Sequence, residues 1–166
     1  SSAAFRVRIA LNLKKLDYAS VSVHLRRGDQ RNREFLGVNP QGLVPALEDP
    51  ALGENGQTLI QSLPVIEYLD ETYPEPPLLP RDAAGRARVR GLAAIVACDI
   101  HPLNNLRVLR YLHRTLGQDE AALAAWYNHW IAEGFNAIEA FLAADGRTGR
   151  FCHGDTPGLA DIAQIA

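Results

Sequence analysis

Ser1 and Ser2 stand just before a run in which Val7, Ile9, Ala10, Leu11 and Leu13 recur at helical spacing. Paired hydroxyls at a helix start can cap its free backbone N–H groups. They can also aim donors, backed by the positive end of the helix dipole, at an anion. Spacing alone favours the cap. A second pair, Gln61-Ser62, precedes the amphipathic run Val65, Ile66 and Leu69, with Glu67, Asp70 and Glu71 on the polar side. Helix N-termini attract carboxylates, so this pair is either a cap or a carboxylate seat. Arg6 and Arg8 read, by spacing, as ordinary exposed helix charges. His101, Asn104, Asn105 and Arg107 form a polar cluster beside Pro102 that interrupts an otherwise apolar helical pattern. Such a cluster is either a solvated kink or one wall of a site.

The elements that must position these groups change character along the chain. A helix is expected from about Phe5 to Lys15, broken by Asp17-Tyr18. Val21, Val23 and Leu25 alternate with Ser20, Ser22 and His24, the pattern of a half-buried strand. A polar loop from Arg26 to Arg33 leads into a short helix, and Asn39-Pro40-Gln41-Gly42 is a turn cluster. Leu43-Val44-Pro45-Ala46-Leu47 carries a proline that suits a strand only where the strand begins or the bond is special. A hairpin-like turn over 53–57 and a short strand Thr58-Leu59-Ile60 lead to the helix after Ser62. Pro74-Glu75-Pro76-Pro77-Leu78-Leu79-Pro80 cannot be helix and reads as a stiff linker over 74–83. Beyond it strand signals vanish. One long helix is expected through Val89 and Ile100, continuing past Pro102 to Leu112. A second runs through Leu123 and Leu142, and a third begins near Gly158. The reading is an α/β domain over 1–73 and an all-α domain over 84–166.

Composition narrows the function. With 166 residues, 47% apolar and 22% charged, the chain can build a core. No apolar run approaches the roughly 18 to 20 residues that span a bilayer, and no signal peptide opens the chain. The net charge of −2 without a basic stripe gives nucleic acid no support. No pair among the five histidines has a metal-binding spacing, so no metal site is expected. Cys98 and Cys152 read as reduced, buried thiols of a cytoplasmic protein. Trp126, Trp130, Phe135 and Phe141, at near-helical spacing, read as packing residues.

Five strings, in one order, resemble the zeta class of the glutathione transferase superfamily. Ser1-Ser2-Ala3-Ala4-Phe5-Arg6-Val7-Arg8-Ile9-Ala10-Leu11 is similar to the zeta signature S-S-C-S-x-R-V-R-I-A-L. Asn39-Pro40-x-x-x-Val44-Pro45 resembles the loop whose proline is cis in that superfamily, and Gln61-Ser62 resembles the pair that holds the γ-glutamyl end of glutathione. Asp99-Ile100-His101-Pro102-Leu103-Asn104-Asn105-Leu106-Arg107 looks like bacterial zeta members, including maleylpyruvate isomerases. Gly154-Asp155-Thr156-Pro157-Gly158-Leu159-Ala160-Asp161 resembles a helix-capping motif of the helical domain, with Asp161 as the structural cap. Two positions depart from the pattern: Ala3 replaces the signature cysteine, and Gly158 replaces a Thr or Ser cap.

The resemblance implies a two-domain glutathione transferase fold, an N-terminal thioredoxin-like α/β domain followed by an all-α bundle, apparently truncated at both ends. It implies glutathione as cofactor and cis–trans isomerisation of maleylacetoacetate or maleylpyruvate, with Ser1 as leading catalytic residue and Ser2 as second donor. Gln30, Val44, Pro45, Gln61, Ser62, His101, Asn105 and Arg107 are then expected at glutathione, and Arg6, Arg8 and Asn104 at a small dicarboxylate substrate. A homodimer is expected, with no nucleic-acid or membrane partner. The alternatives are a zeta-like transferase acting on α-halo acids, in which the same glutathione thiolate displaces halide, and a non-catalytic interaction protein of the same fold; Ala3 removes the thiol that cysteine-based chemistry such as reductive dehalogenation would use.

Overall fold

A computed structural model describes residues 1–52 and 57–165, and in it the chain divides into two compact units, Ser1–Leu78 and Leu79–Gln164. The first unit opens with α1 (Ser2–Leu13), which starts earlier than its apolar pattern because Ala3 and Ala4 are strong helix formers behind the N-cap Ser1. Its end is a Schellman motif. Lys15 takes a positive φ of 54°, its N–H donates to Asn12 O at 3.1 Å, and Leu16 N–H donates to Leu11 O at 3.0 Å. After a 3₁₀ turn, Asp29–Arg31, come α2 (Arg33–Val38), β1 (Ala46–Leu47), β2 (Leu59–Ile60) and α3 (Ser62–Thr72). Asn32 caps α2 by accepting from Phe35 N–H at 2.7 Å.

β1 and β2 pair antiparallel, Ala46 opposite Ile60 and Leu47 opposite Leu59. α1 packs on α3, and the core of this unit is Val7, Ala10 and Leu11 with Val65, Ile66 and Leu69. The strand expected at Val21–Leu25 does not form. A strand needs a neighbour to take its backbone hydrogen bonds, and among the described residues none pairs with this segment. Val21 is 87% exposed. The turn expected over 53–57 lies outside the described residues at 53–56.

The proline-rich stretch is anchored rather than free. Leu78 is buried, its N–H donates to Asp70 Oδ1 at 2.8 Å, and Pro76 O accepts from Lys14 at 2.9 Å.

The second unit holds α4 (Ala83–Ala94), a π-helical stretch (Ile95–Ile100), α5 (Leu106–Arg114), α6 (Glu120–Ala144) and α7 (Leu159–Ile165). The single long helix expected around Pro102 is therefore broken. His101 N–H reaches back five residues to Val96 O at 2.8 Å, which widens the helix. A turn at 101–105 follows, and Asn105 caps a fresh helix by accepting from Arg107 N–H at 3.1 Å. Gly134 of α6 lets the π-helical stretch approach closely, since a Cβ there would run into the Ile100 side chain. Ile138, Val89, Leu92, Ala93, Val96 and Ile100 form the core. Trp126, Trp130 and Phe135 are half-buried as packing residues, but Phe141 is 58% exposed.

α7 is capped as its motif suggests. Asp161 Oδ2 accepts from Gly158 N–H, and Oδ1 from Cys152 N–H, both at 2.8 Å. Cys152 is buried, and burial foremost pushes its thiol up to about 12. Cys98, expected to be buried, is instead exposed on the π-helical stretch.

Candidate active site

The start of α1 presents Ser1 and Ser2, both exposed. Ser1 holds the N-cap position, with its carbonyl accepting from Phe5 N–H at 3.0 Å, but its side chain makes no capping bond. The hydroxyl is thus not consumed by the helix it starts, and the first N–H groups of α1 remain as donors.

One turn on, Arg6 turns inward. It is 1% exposed, and its Nη1 donates to Ser62 Oγ at 3.3 Å. This corrects the reading of Arg6 as an exposed charge, and such burial does not fit direct contact with a substrate carboxylate. Arg8 stays exposed, stacked over the Phe5 ring at 5.3 Å.

Ser62 opens α3 and is 6% exposed, while Gln61 before it has a positive φ of 69°. A glutamine in that region is an outlier, and such outliers gather at binding sites. Gln61 Nε2 donates to Gln41 Oε1 at 3.1 Å, tying the helix start to the preceding turn.

That turn is built by Asn39, which is 1% exposed. Its Oδ1 accepts from Gln41 N–H at 3.0 Å, and its Nδ2 donates to Leu43 O at 2.7 Å. The Val44–Pro45 bond that follows is cis. Gly42, at φ 62°, lies against the Gln30 carbonyl, where a Cβ would sit 2.9 Å away. Gln30 is 9% exposed; Nε2 reaches Leu25 O at 3.4 Å, and among the described residues nothing bonds its Oε1.

The first unit therefore brings Gln30, Val44, Pro45, Gln61 and Ser62 into one connected framework, which reaches α1 through Arg6. The sequence marks Asn39 and Gln41 as parts of a turn cluster but not as members of the glutathione site. Asn39 could have been counted among them, as the first residue of that cluster; nothing further marks Gln41.

In the second unit the structure assigns the polar cluster local work. Asn104 Nδ2 donates to Tyr127 O at 3.1 Å, and Trp126 Nε1 donates to Leu103 O at 2.9 Å, so α6 holds the 101–105 turn. Asn105 caps α5, Arg107 is exposed on its first turn, and His101 is half-buried. No group of His, Cys, Asp and Glu among the described residues could hold a metal.

Residues 1–72 match the family model of the glutathione S-transferase N-terminal domain. The maleylpyruvate isomerase of a Ralstonia species is 55% identical over 161 residues, 97% of this chain and 74% of that protein. The chain belongs to the glutathione transferase superfamily, in its zeta class. A holo structure of maleylpyruvate isomerase, described as a bacterial zeta-class glutathione S-transferase, superposes with a TM-score of 0.93 at 53% identity, covering 99% of this chain and 76% of the other. The maleylacetoacetate isomerase of Methylobacterium extorquens, solved with malonate and glutathione bound, also gives 0.93, at 44% identity over 99% of this chain and 75% of the other. As a glutathione transferase the chain departs from its class signature at Ala3, which is half-buried on α1 and has no thiol to offer.

Proposed function

We propose that this chain is a glutathione-dependent cis–trans isomerase acting on maleylacetoacetate or maleylpyruvate. The observation that carries the reading is Ser1, which occupies the N-cap of α1 without spending its hydroxyl there. The likeness to isomerases of both substrates supports it.

Glutathione, when bound, supplies a thiolate that adds reversibly to the cis double bond and leaves a single bond free to rotate. The chain's task is to keep that sulfur charged. Lowering a thiol's pKa of about 8.5 by two units takes roughly 2.7 kcal/mol. An exposed helix N-terminus contributes about 0.3 to 1 kcal/mol. A hydroxyl donating to a charged acceptor contributes roughly 1.5 to 3 kcal/mol. Ser1, with Ser2 as second donor, combines both at one point.

The residues present fit the tripeptide. Gln30 Oε1, a buried acceptor without a described partner, suits the amide N–H of the glycyl unit. The Val44 backbone, presented ahead of Pro45, suits the cysteinyl unit. Gln61 and Ser62 at the start of α3 suit the γ-glutamyl carboxylate. Arg8 is the exposed cation on α1 for a substrate carboxylate. His101, Asn104, Asn105 and Arg107 are the polar groups that the second unit would offer. The family pattern supports a two-fold homodimer in the cytoplasm, and a monomer mass in light scattering would overturn the dimer. No described helix is long and apolar enough to cross a membrane.

The test is turnover of maleylpyruvate and maleylacetone, followed by loss of ultraviolet absorbance with and without glutathione. Isomerisation only with glutathione is expected, and the ratio of the two rates ranks the substrates. Bound glutathione without turnover of either would sink the reading.

A further inference from the structure

Arg6 is an unusual residue to bury. A cation withdrawn from water costs free energy unless it is used, and here it reaches across 56 positions of sequence to the first residue of α3. One consequence of its bond falls on Ser62. A hydroxyl has one proton to give and lone pairs to accept with. Arg6 Nη1 occupies the acceptor side of Ser62 Oγ at 3.3 Å, in a buried setting. The Ser62 proton is thereby turned away from the guanidinium, and no hydrogen bond from Ser62 Oγ to a described residue takes it up. It is left at the start of α3, beside Gln61 with its positive φ.

We infer that Arg6 is a positioning residue: it presets the Ser62 hydroxyl as a donor to the α-carboxylate of the γ-glutamyl group. The inference rests on the proposed glutathione reading. Arg6 touches neither the reacting double bond nor the thiolate. It acts through Ser62. Arginine suits this position because it stays charged when buried and its planar fork fixes the direction of the bond. The arrangement also couples the two ends of the site, since the helix that starts with Ser1 and Ser2 carries the residue that orients the carboxylate seat.

Calorimetry on the full chain tests this with two ligands, glutathione and an analogue lacking the γ-glutamyl α-carboxylate. Arg6→Met should weaken glutathione about tenfold while leaving the analogue within about twofold. The Arg6→Met/Ser62→Ala double variant should bind glutathione no worse than Ser62→Ala alone. Equal losses for both ligands, or losses that add in the double variant, would overturn the role. Should Arg6→Met not fold, Arg6→Lys decides the matter: a loss confined to glutathione supports the role, and a loss shared by the analogue overturns it. Wild-type protein that does not bind glutathione would remove the isomerase reading itself. Intact wild-type binding with the wrong variant pattern removes only Arg6.

Discussion

Lys14 Nζ, at the C-cap of α1, donates to Asp70 Oδ1 on α3 at 2.8 Å, with the two side chains 0% and 9% exposed. The other ammonium donors go to Tyr73 O at 2.6 Å and Pro76 O at 2.9 Å, and Asp70 Oδ1 also accepts from Leu78 N–H. One buried cation thus ties the first helix, the end of α3 and the proline-rich stretch together. Removing one partner of a buried pair leaves an uncompensated charge. Lys14→Ala should cost about 3 to 5 kcal/mol in denaturant unfolding. A loss below about 1 kcal/mol would match an exposed pair instead and refute the tether.

Ser1→Ala should lower isomerase turnover by about 100-fold or more, the scale of losing one donor to a developing charge. Glutathione affinity should stay within about threefold, because the variant leaves Gln61, Ser62 and the Val44 backbone in place. Equal loss of turnover and affinity would reduce Ser1 to a cap.

Two glycines hold close approaches that a methyl group would spoil. Gly42 combines a positive φ with contact on the Gln30 carbonyl, so Gly42→Ala should cost at least about 1 kcal/mol and weaken glutathione binding as well. Gly134→Ala drives a methyl into Ile100, for an expected loss of about 1 to 3 kcal/mol. Unchanged unfolding midpoints would show that the contacts relax freely.

Asp145 gives an acid limb to stability. Hydrogen bonds from Arg147, with Arg88 beside it, hold its carboxyl well below its ordinary 3.8. A depressed folded pKa stabilises the fold above the unfolded value of about 4, and that contribution is lost as pH falls through the folded one. Wild-type protein should therefore lose stability on acidification below about pH 4 more steeply than Asp145→Asn. Parallel curves would refute the assignment.

Cys98 is exposed, and Cys152 is buried with its thiol pushed up to about 12. A thiolate-directed reagent should label native protein at one site, and Cys98→Ser should abolish the labelling. Labelling that survives Cys98→Ser would mean that Cys152 opens to solvent.

The framework of the site was legible wherever its chemistry is local. Ser1 and Ser2 announce a helix start because residue type and the adjacent helical periodicity are local signals, although the Ser1 side chain makes no capping bond. Gln61-Ser62 and Asp161 announce theirs for the same reason. The turn at Asn39 and the special character of Val44-Pro45 also sit in neighbouring residues. The family resemblance extended this local reading to the whole fold.

What sequence alone determined, then, is the order of elements, their caps and the groups available for chemistry. Pairing and burial needed the folded chain, because both depend on residues distant in sequence. The alternating pattern at Val21–Leu25 promises a strand, yet no described neighbour takes its hydrogen bonds. The apolar run across Pro102 promises one helix, yet the close approach of Gly134 to Ile100 accompanies a π-helical stretch and a turn. Arg6 and Arg8, two positions apart on one helix, look alike in the sequence. Only the packing of α1 on α3 buries one of them under Ser62 and leaves the other in solvent.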